Sequence, residues 1–261
     1  MTENDTIIMS EDRLEGKNPI LEALKAGRTI QKLWVQKPGA GTGRLDPTLS
    51  KIINLSKQTG ALIIELDKRA LDQMSQTHGH QGVIAQVAMH DYAEIDDMIG
   101  KAKEKGEQPF LIILDEIQDS YNLGSILRIA DAAGVHGVII PKHRSVGLDA
   151  TVAKASAGAM EYVPVAKVTN LTQTIEELKK QEFWIVGTDQ DGTSRYDKID
   201  YRGPLAIVIG SEGEGIGRLI KKNCDFLVTI PMRGSVNSLN AAVATGIIVF
   251  EASKQRTATA K

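Results

Sequence analysis

Cysteine is almost missing from this chain: Cys224 is the single one in 261 residues. A lone thiol closes no disulfide within the chain and leaves no cysteine-based metal site. The expectation is a reducing compartment, the cytoplasm, and no bound metal. Aromatic residues supply only 4% of the sequence, so the core must be built from Ile, Val, Leu and Ala. The same scarcity makes base stacking on rings an unobvious mode of binding. No apolar run reaches the roughly 18 residues of a membrane-spanning helix. Residues Met1 to Asp12 are polar and acidic, without the apolar stretch of a secretory signal. Net charge is small, -2 at pH 7, which argues against a uniformly basic coat but leaves room for a local basic face.

What is present is a hydrophobic content of 42%, enough for a full core, arranged in two rhythms. Residues 13–89 mix helical and strand signals in a small α/β unit. Asn18-Pro19 opens a helix, Ile30 to Val35 and Leu62 to Leu66 read as strands, and Lys37 to Gly43 is a glycine-rich loop. Residues 90–108 are polar and read as a linker, with an exposed helix over Tyr92 to Lys105. From Pro109 to Arg256, short apolar strands alternate with helices, the pattern of a parallel sheet covered on both faces. The final helix, Asn240 to Lys254, is apolar nearly all round and suits deep burial or a subunit interface. Residues 1–12 and 257–261 are tails. Between Arg13 and Arg69 there are eleven Lys and Arg against five Asp and Glu. Such a surplus is either a solvated surface or a face for a polyanion, whose phosphates dominate affinity.

Three polar clusters interrupt the second rhythm, each after a strand, where an α/β sheet builds its site. The first is Asn122-Leu-Gly-Ser-Ile-Leu-Arg128. Asn122 can cap a helix, and Arg128 can pair with a carboxylate or reach into a cleft. The second, Ile209-Gly-Ser-Glu-Gly-Glu-Gly215, has the look of a phosphate loop but lacks the Lys-Ser/Thr of one, and Glu212 and Glu214 would repel a phosphate. It suits a neutral or cationic ligand, or simply a turn into a helix with Glu at its dipole-favoured start. The third runs from Ile230 to Asn240 and carries more polar groups (Ser235, Asn237, Ser238, Asn240) than capping requires.

In order, these clusters match Asn-x-Gly-x-x-x-Arg, Gly-x-Glu-Gly-x-Gly and Pro-Met-x-Gly-x-x-x-Ser-Leu-Asn. From about Phe110 to Arg256 the chain resembles the SpoU (TrmH-like) branch of the SPOUT methyltransferases. Gly16 to Leu24 and His80-Gln-Gly-Val83 look like the small RNA-binding domain that precedes the catalytic domain in many members, similar to the ribosomal-protein L30e-like fold. The resemblance implies an α/β fold whose C-terminal SPOUT-type parallel sheet, helices on both faces, contains a trefoil knot. Strand order alone would not suggest a knot. It also implies S-adenosylmethionine as methyl donor, RNA as substrate, and a homodimer formed through the C-terminal domain. Within the family, the match is nearest to the bacterial enzyme that methylates a guanosine ribose 2′-oxygen in 23S rRNA.

Carried over position by position, the resemblance implies cofactor contacts at Gly210, Ile230 and Leu239, with Thr188 and Met232 as further candidates. Arg128 is the implied catalytic arginine, and Asn122, Glu212, Ser238 and Asn240 complete the polar site. Glu212 is expected to hold Arg128 or Asn122, while Ser238 and Asn240 orient substrate or cofactor. A guanidinium pKa above about 12 favours an electrostatic role for Arg128 over that of a base. Three other readings stay open: a tRNA ribose methyltransferase of the same family, an RNA-binding protein without catalysis, and a nucleotide-dependent small-molecule enzyme. The absence of dinucleotide and Walker fingerprints weighs against the last.

Overall fold

The computed structural model describes residues 13–38, 46–87, 91–235 and 238–257. The N-terminal acidic stretch, most of the glycine-rich loop, His90, Asn237 and the last four residues lie outside them. The chain divides into two compact units, one from the described part of Met1–Asp91 with Gly147–Tyr162, the other from Tyr92–Val146 with Val163–Lys261.

The first unit begins with β1 (Arg13–Glu15), α1 (Lys17–Lys25), β2 (Ile30–Gln36), α2 (Pro47–Gln58), β3 (Leu62–Leu66), α3 (Lys68–Met74) and β4 (Val83–Val87). Its sheet has the order β1-β4-β2-β3, with β4 antiparallel to both neighbours and β2 parallel to β3. Helix starts follow capping chemistry: Asp46 accepts the Leu49 amide at 3.1 Å and Asp67 the Ala70 amide at 2.8 Å. Three-residue β1 is too short to show a periodicity in sequence. Its Glu15 is fully buried, and its carboxylate accepts the Ser75 hydroxyl at 2.7 Å, the Gln76 amide at 2.6 Å, the Thr77 amide at 3.1 Å and the Thr77 hydroxyl. These donors replace the water that burial removes.

The second unit contains α4 (Ile95–Glu104), β5 (Phe110–Leu114), α5 (Ser120–Ala133) and β6 (Gly137–Pro141). The chain then leaves it. Helix α6 (Ala150–Ala155) and the turn after it belong to the first unit, where Arg28 pairs with buried Glu161 at 2.9 Å and the Tyr162 hydroxyl donates to Glu22 at 2.8 Å. The chain returns with β7 (Val165–Val168), α7 (Leu171–Lys180), β8 (Trp184–Thr188), β9 (Ser194–Arg195), β10 (Leu205–Ile209), α8 (Arg218–Asn223), β11 (Phe226–Thr229) and α9 (Ala241–Thr257). All six strand pairings of this sheet are parallel, in the order β7-β6-β5-β10-β8-β11-β9. Ile113, Ile139, Ile185 and Val208 meet in its aliphatic core.

Several expectations are corrected. The helix read as an exposed connector is α4, and its Met98, Ile99 and Ala102 are buried in the core of the second unit. Its polar residues had masked a narrow apolar stripe. Strand β7 starts at Val165, after a 3₁₀ turn over Ala159–Glu161. The last helix does not end at Lys254 but runs to Thr257, where Arg256 donates to the carbonyls of Tyr201 at 2.9 Å and Gly203 at 2.7 Å and lies 5.0 Å from the Phe110 ring centre. Burial pushes the Cys224 thiol up to about 12, which leaves it protonated and inert at neutral pH. Among the described residues, no helix is long and apolar enough to cross a membrane.

Glu15 yields a prediction with a definite sign. Burial by itself raises its pKa, but the hydrogen bonds from Thr77, Ser75 and Gln76 outweigh it and hold the group below its ordinary 4.5. A carboxyl depressed in the folded state contributes stability above its unfolded pKa and loses it as pH falls through the folded value. Glu15→Gln should therefore cost about 2 kcal/mol at pH 7, read from urea unfolding. The gap to wild type should narrow once the pH drops below 4.5.

Candidate functional site

Strands β5, β10, β8 and β11 deliver their following loops to one carboxyl edge of the parallel sheet. The edge between β5 and β10 is the switch point, since the chain moves outward to β6 and β7 on one side and fills in β8, β10 and β11 on the other. The first and second polar clusters lie there, and the third reaches them at the start of α9.

Glu212 is the meeting point. Its Oε1 accepts the side-chain amide of Asn122 at 2.9 Å, that of Asn240 at 2.7 Å and the Ala241 backbone amide at 3.3 Å. The Asn240 amide also donates to Asn122 Oδ1 at 2.8 Å. Asn240 Oδ1 in turn accepts the amides of Ala242 at 3.0 Å and Val243 at 3.2 Å, which makes Asn240 the cap of α9. The carboxylate thus stands at the positive end of a 17-residue helix. The expected cap at Asn122 is corrected. Asp119 caps α5 through the amides of Tyr121 and Asn122, at 3.2 and 3.3 Å, which frees the Asn122 side chain for Glu212. Nor is Glu212 a simple helix-start acid for α8, since its helix is α9.

Beside this cluster lies a cavity of about 640 Å³. Thr188, Gly210, Ile230, Met232 and Leu239, the five residues expected to touch a cofactor, all line it, as do Glu212 and Ser238. One wall is the loop after β10, folded tightly on itself. Gly215 donates to the Ser211 carbonyl at 2.9 Å with φ 67°, and a Cβ on Gly210 would stand 2.1 Å from the Gly215 carbonyl carbon. Glycine is required at 210 by this backbone contact. Asp189 and Lys221, which sequence reasoning passed over, close one end with an ion pair. Burial pushes the Asp189 carboxyl up, but the Lys221 ammonium and the Asp191 and Gln190 amides outweigh it and hold it below the usual range. The signal was the polar run directly after β8. Lys221 had none, being one cation among several on a surface helix.

Arg128 stands apart. It is exposed on α5, does not line the cavity and makes no ion pair among the described residues. Of the two expected partners for Glu212, the structure supplies Asn122 and not Arg128.

With this geometry fixed, comparison with known proteins is informative. Residues 109–250 match the model of the SpoU rRNA Methylase family. The chain belongs to that family. Residues 13–93 match the model described as RNA 2′-O ribose methyltransferase substrate binding. A Bacillus subtilis (strain 168) relative named for the TrmH family of tRNA/rRNA methyltransferases, YacO, is 50% identical over 94% of this chain and 96% of its own length. Among solved structures, the SpoU methyltransferase AviRb of Streptomyces viridochromogenes in complex with AdoMet is similar with a TM-score of 0.80, 26% identity, and coverage of 95% of this chain and 91% of that one. The AdoMet-bound rRNA methyltransferase of Sinorhizobium meliloti gives a TM-score of 0.77, 25% identity, and coverage of 93% and 87%. The doubly covered parallel sheet with a small preceding α/β unit is the architecture expected of this SpoU-family chain.

The hydrogen-bond geometry predicts the effect of Asn240→Ala. It removes the cap of α9 and two amide contacts at once, and should lower stability by about 2 kcal/mol in urea unfolding. Gly210→Ala should be worse, because its new methyl group meets backbone rather than a side chain that can turn away.

Proposed function

We propose that this SpoU-family protein transfers the methyl group of S-adenosylmethionine to a ribose 2′-hydroxyl of RNA, with a guanosine of 23S rRNA as target, in the cytoplasm. The observation that carries the reading is the convergence of all five expected cofactor contacts on one cavity beside the Asn122–Glu212–Asn240 cluster. A volume of about 640 Å³ that combines aliphatic Ile230 and Leu239, close-packed backbone at Gly210 and polar groups such as Thr188, Glu212 and Ser238 fits a folded nucleoside-amino acid ligand. When bound, that ligand supplies an electrophilic methyl group on a sulfonium.

The chain's own residues have the remaining tasks. Glu212 ties the Asn122 and Asn240 amides to one carboxylate oxygen, which fixes the rim of the cavity before substrate arrives. Ser238, on the cavity wall, offers a hydroxyl to substrate or cofactor. Arg128 sits against the ribose oxygen and an adjacent phosphate, and its guanidinium stabilises that oxygen as the hydroxyl proton leaves to water. It lies about 12 Å along α5 from the helix start, outside the cavity of its own chain. A homodimer through the second unit resolves this. α5 and α9 pack on each other, and their exposed faces carry Tyr121 and Arg128 on one, half-exposed Val243 and Phe250 on the other. A second copy covering those apolar groups would bring one copy's Arg128 toward its partner's cavity. The expected trefoil knot belongs to the same reading. What supports it is the pressing of chain on chain without room for a side chain at Gly192, against the Val228 and Thr229 backbone, and at Gly210.

The decisive experiment maps ribose methylation across ribosomal and transfer RNA in cells with and without this protein. Loss of one 23S guanosine mark supports the reading; loss of a tRNA mark instead moves the target; no change in any RNA revives a binding protein without catalysis. In vitro, Arg128→Lys should keep adenosylmethionine affinity in calorimetry while turnover falls about 100-fold or more. Leu239→Arg should abolish cofactor binding. Light scattering should give a dimer mass, reduced to a monomer by Val243→Asp with Phe250→Asp.

A further inference from the structure

We infer that Asp115 is a positioning residue for methyl transfer, tying down both ends of the loop that carries Gly210 and Glu212. The inference rests on reading that loop as part of the transfer site. Asp115 is the first residue beyond β5. Its backbone N–H donates to the Ile209 carbonyl at 2.8 Å, where the loop leaves β10. Its carboxylate Oδ2 accepts the Gly217 N–H at 2.8 Å, where the loop enters α8. Between these points the loop closes on itself through the Ser211–Gly215 bridge. A single residue on the neighbouring strand therefore sets where the loop begins and where it ends.

The same residue leads into the first polar cluster. Glu116 follows it in the left-handed region at φ 59°, Ile117 is buried, and the Asp119 cap then starts α5 and presents Asn122 to Glu212. Both partners of the Asn122–Glu212 hydrogen bond are thus referenced to one point in the sheet. Asp115 is 7% exposed, makes no ion pair among the described residues and does not line the cavity, so the clamp is the one polar task the structure gives its carboxylate. Burial raises its pKa, and the neighbouring Glu116 adds to the rise, while the Gly217 amide works against it. A hydrogen bond to a carboxylate in such surroundings is stronger than one to a neutral acceptor.

The test uses the full chain, with adenosylmethionine calorimetry and methyl-transfer kinetics on RNA from cells lacking the protein. Asp115→Ala should weaken adenosylmethionine binding and raise its KM about tenfold or more, with the KM for RNA unchanged. Asp115→Asn keeps an acceptor oxygen and should stay within about threefold of wild type. A folded Asp115→Ala protein with wild-type affinity and turnover overturns the inference. Leu239→Arg serves as the reference. If it abolishes binding while Asp115→Ala binds and turns over as wild type, only the clamp falls; if Leu239→Arg too binds as wild type, the site reading falls with it. Hydrogen exchange on the wild-type protein gives an answer that does not depend on folding of a variant. The Gly217 amide should exchange about 100-fold more slowly than that of Gly213 in the same loop, and equal rates would remove the clamp.

Discussion

The pairing of β5 with β10 is the constraint on which the rest depends. The two strands lie 95 residues apart in sequence, yet align in parallel from Phe110 against Leu205 to Leu114 against Ile209, every residue buried. Their side chains face helices on both sides, so the pair has no solvent-facing edge along which to slip. A shift by one residue would reverse which side chains point to which layer. That register brings the end of β5 level with the end of β10. The loop after β10, the start of α5 and the start of α9 can then share one carboxylate, Glu212.

Around that carboxylate, capping and site-building use the same atoms. Asn240 caps α9 with its oxygen and bonds Glu212 and Asn122 with its nitrogen. Asp119 takes the capping task at α5 and so releases Asn122. Asn240 is thus divided between capping a helix and shaping a rim, and neither task can be altered alone. The apolar half of the cavity asks less of sequence, since Ile230 and Leu239 contribute bulk and chain direction.

Much of this was legible in the sequence, for physical reasons. β5 and β10 are unbroken apolar runs between breakers, and only a doubly covered strand tolerates that. The ordered polar clusters identified the family and the cavity walls. What stayed hidden is equally instructive. Three-residue β1 and two-residue β9 are too short for any period to show. The buried face of α4 is three residues among many charges. Arg256, beyond the helix end read at Lys254, proved to be an anchor because its carbonyl partners are brought to it only by the folded chain. Asp189 and Lys221 pair across 32 positions of sequence, a proximity no local pattern encodes.

The excursion Gly147–Tyr162 gives the chain a connectivity with implications for how such proteins can be recombined. Neither unit is written by one continuous stretch of sequence. A cut near residue 91 would leave the first unit without Glu161, the partner of Arg28, and without the stretch that supplies α6. The exchange of substrate modules among relatives, by evolution or by a protein engineer, must then carry two separate inserts in step. Crossovers that fall between them would separate Arg28 from Glu161 and the first unit from α6. Each unit is compact, but neither is inherited as one stretch.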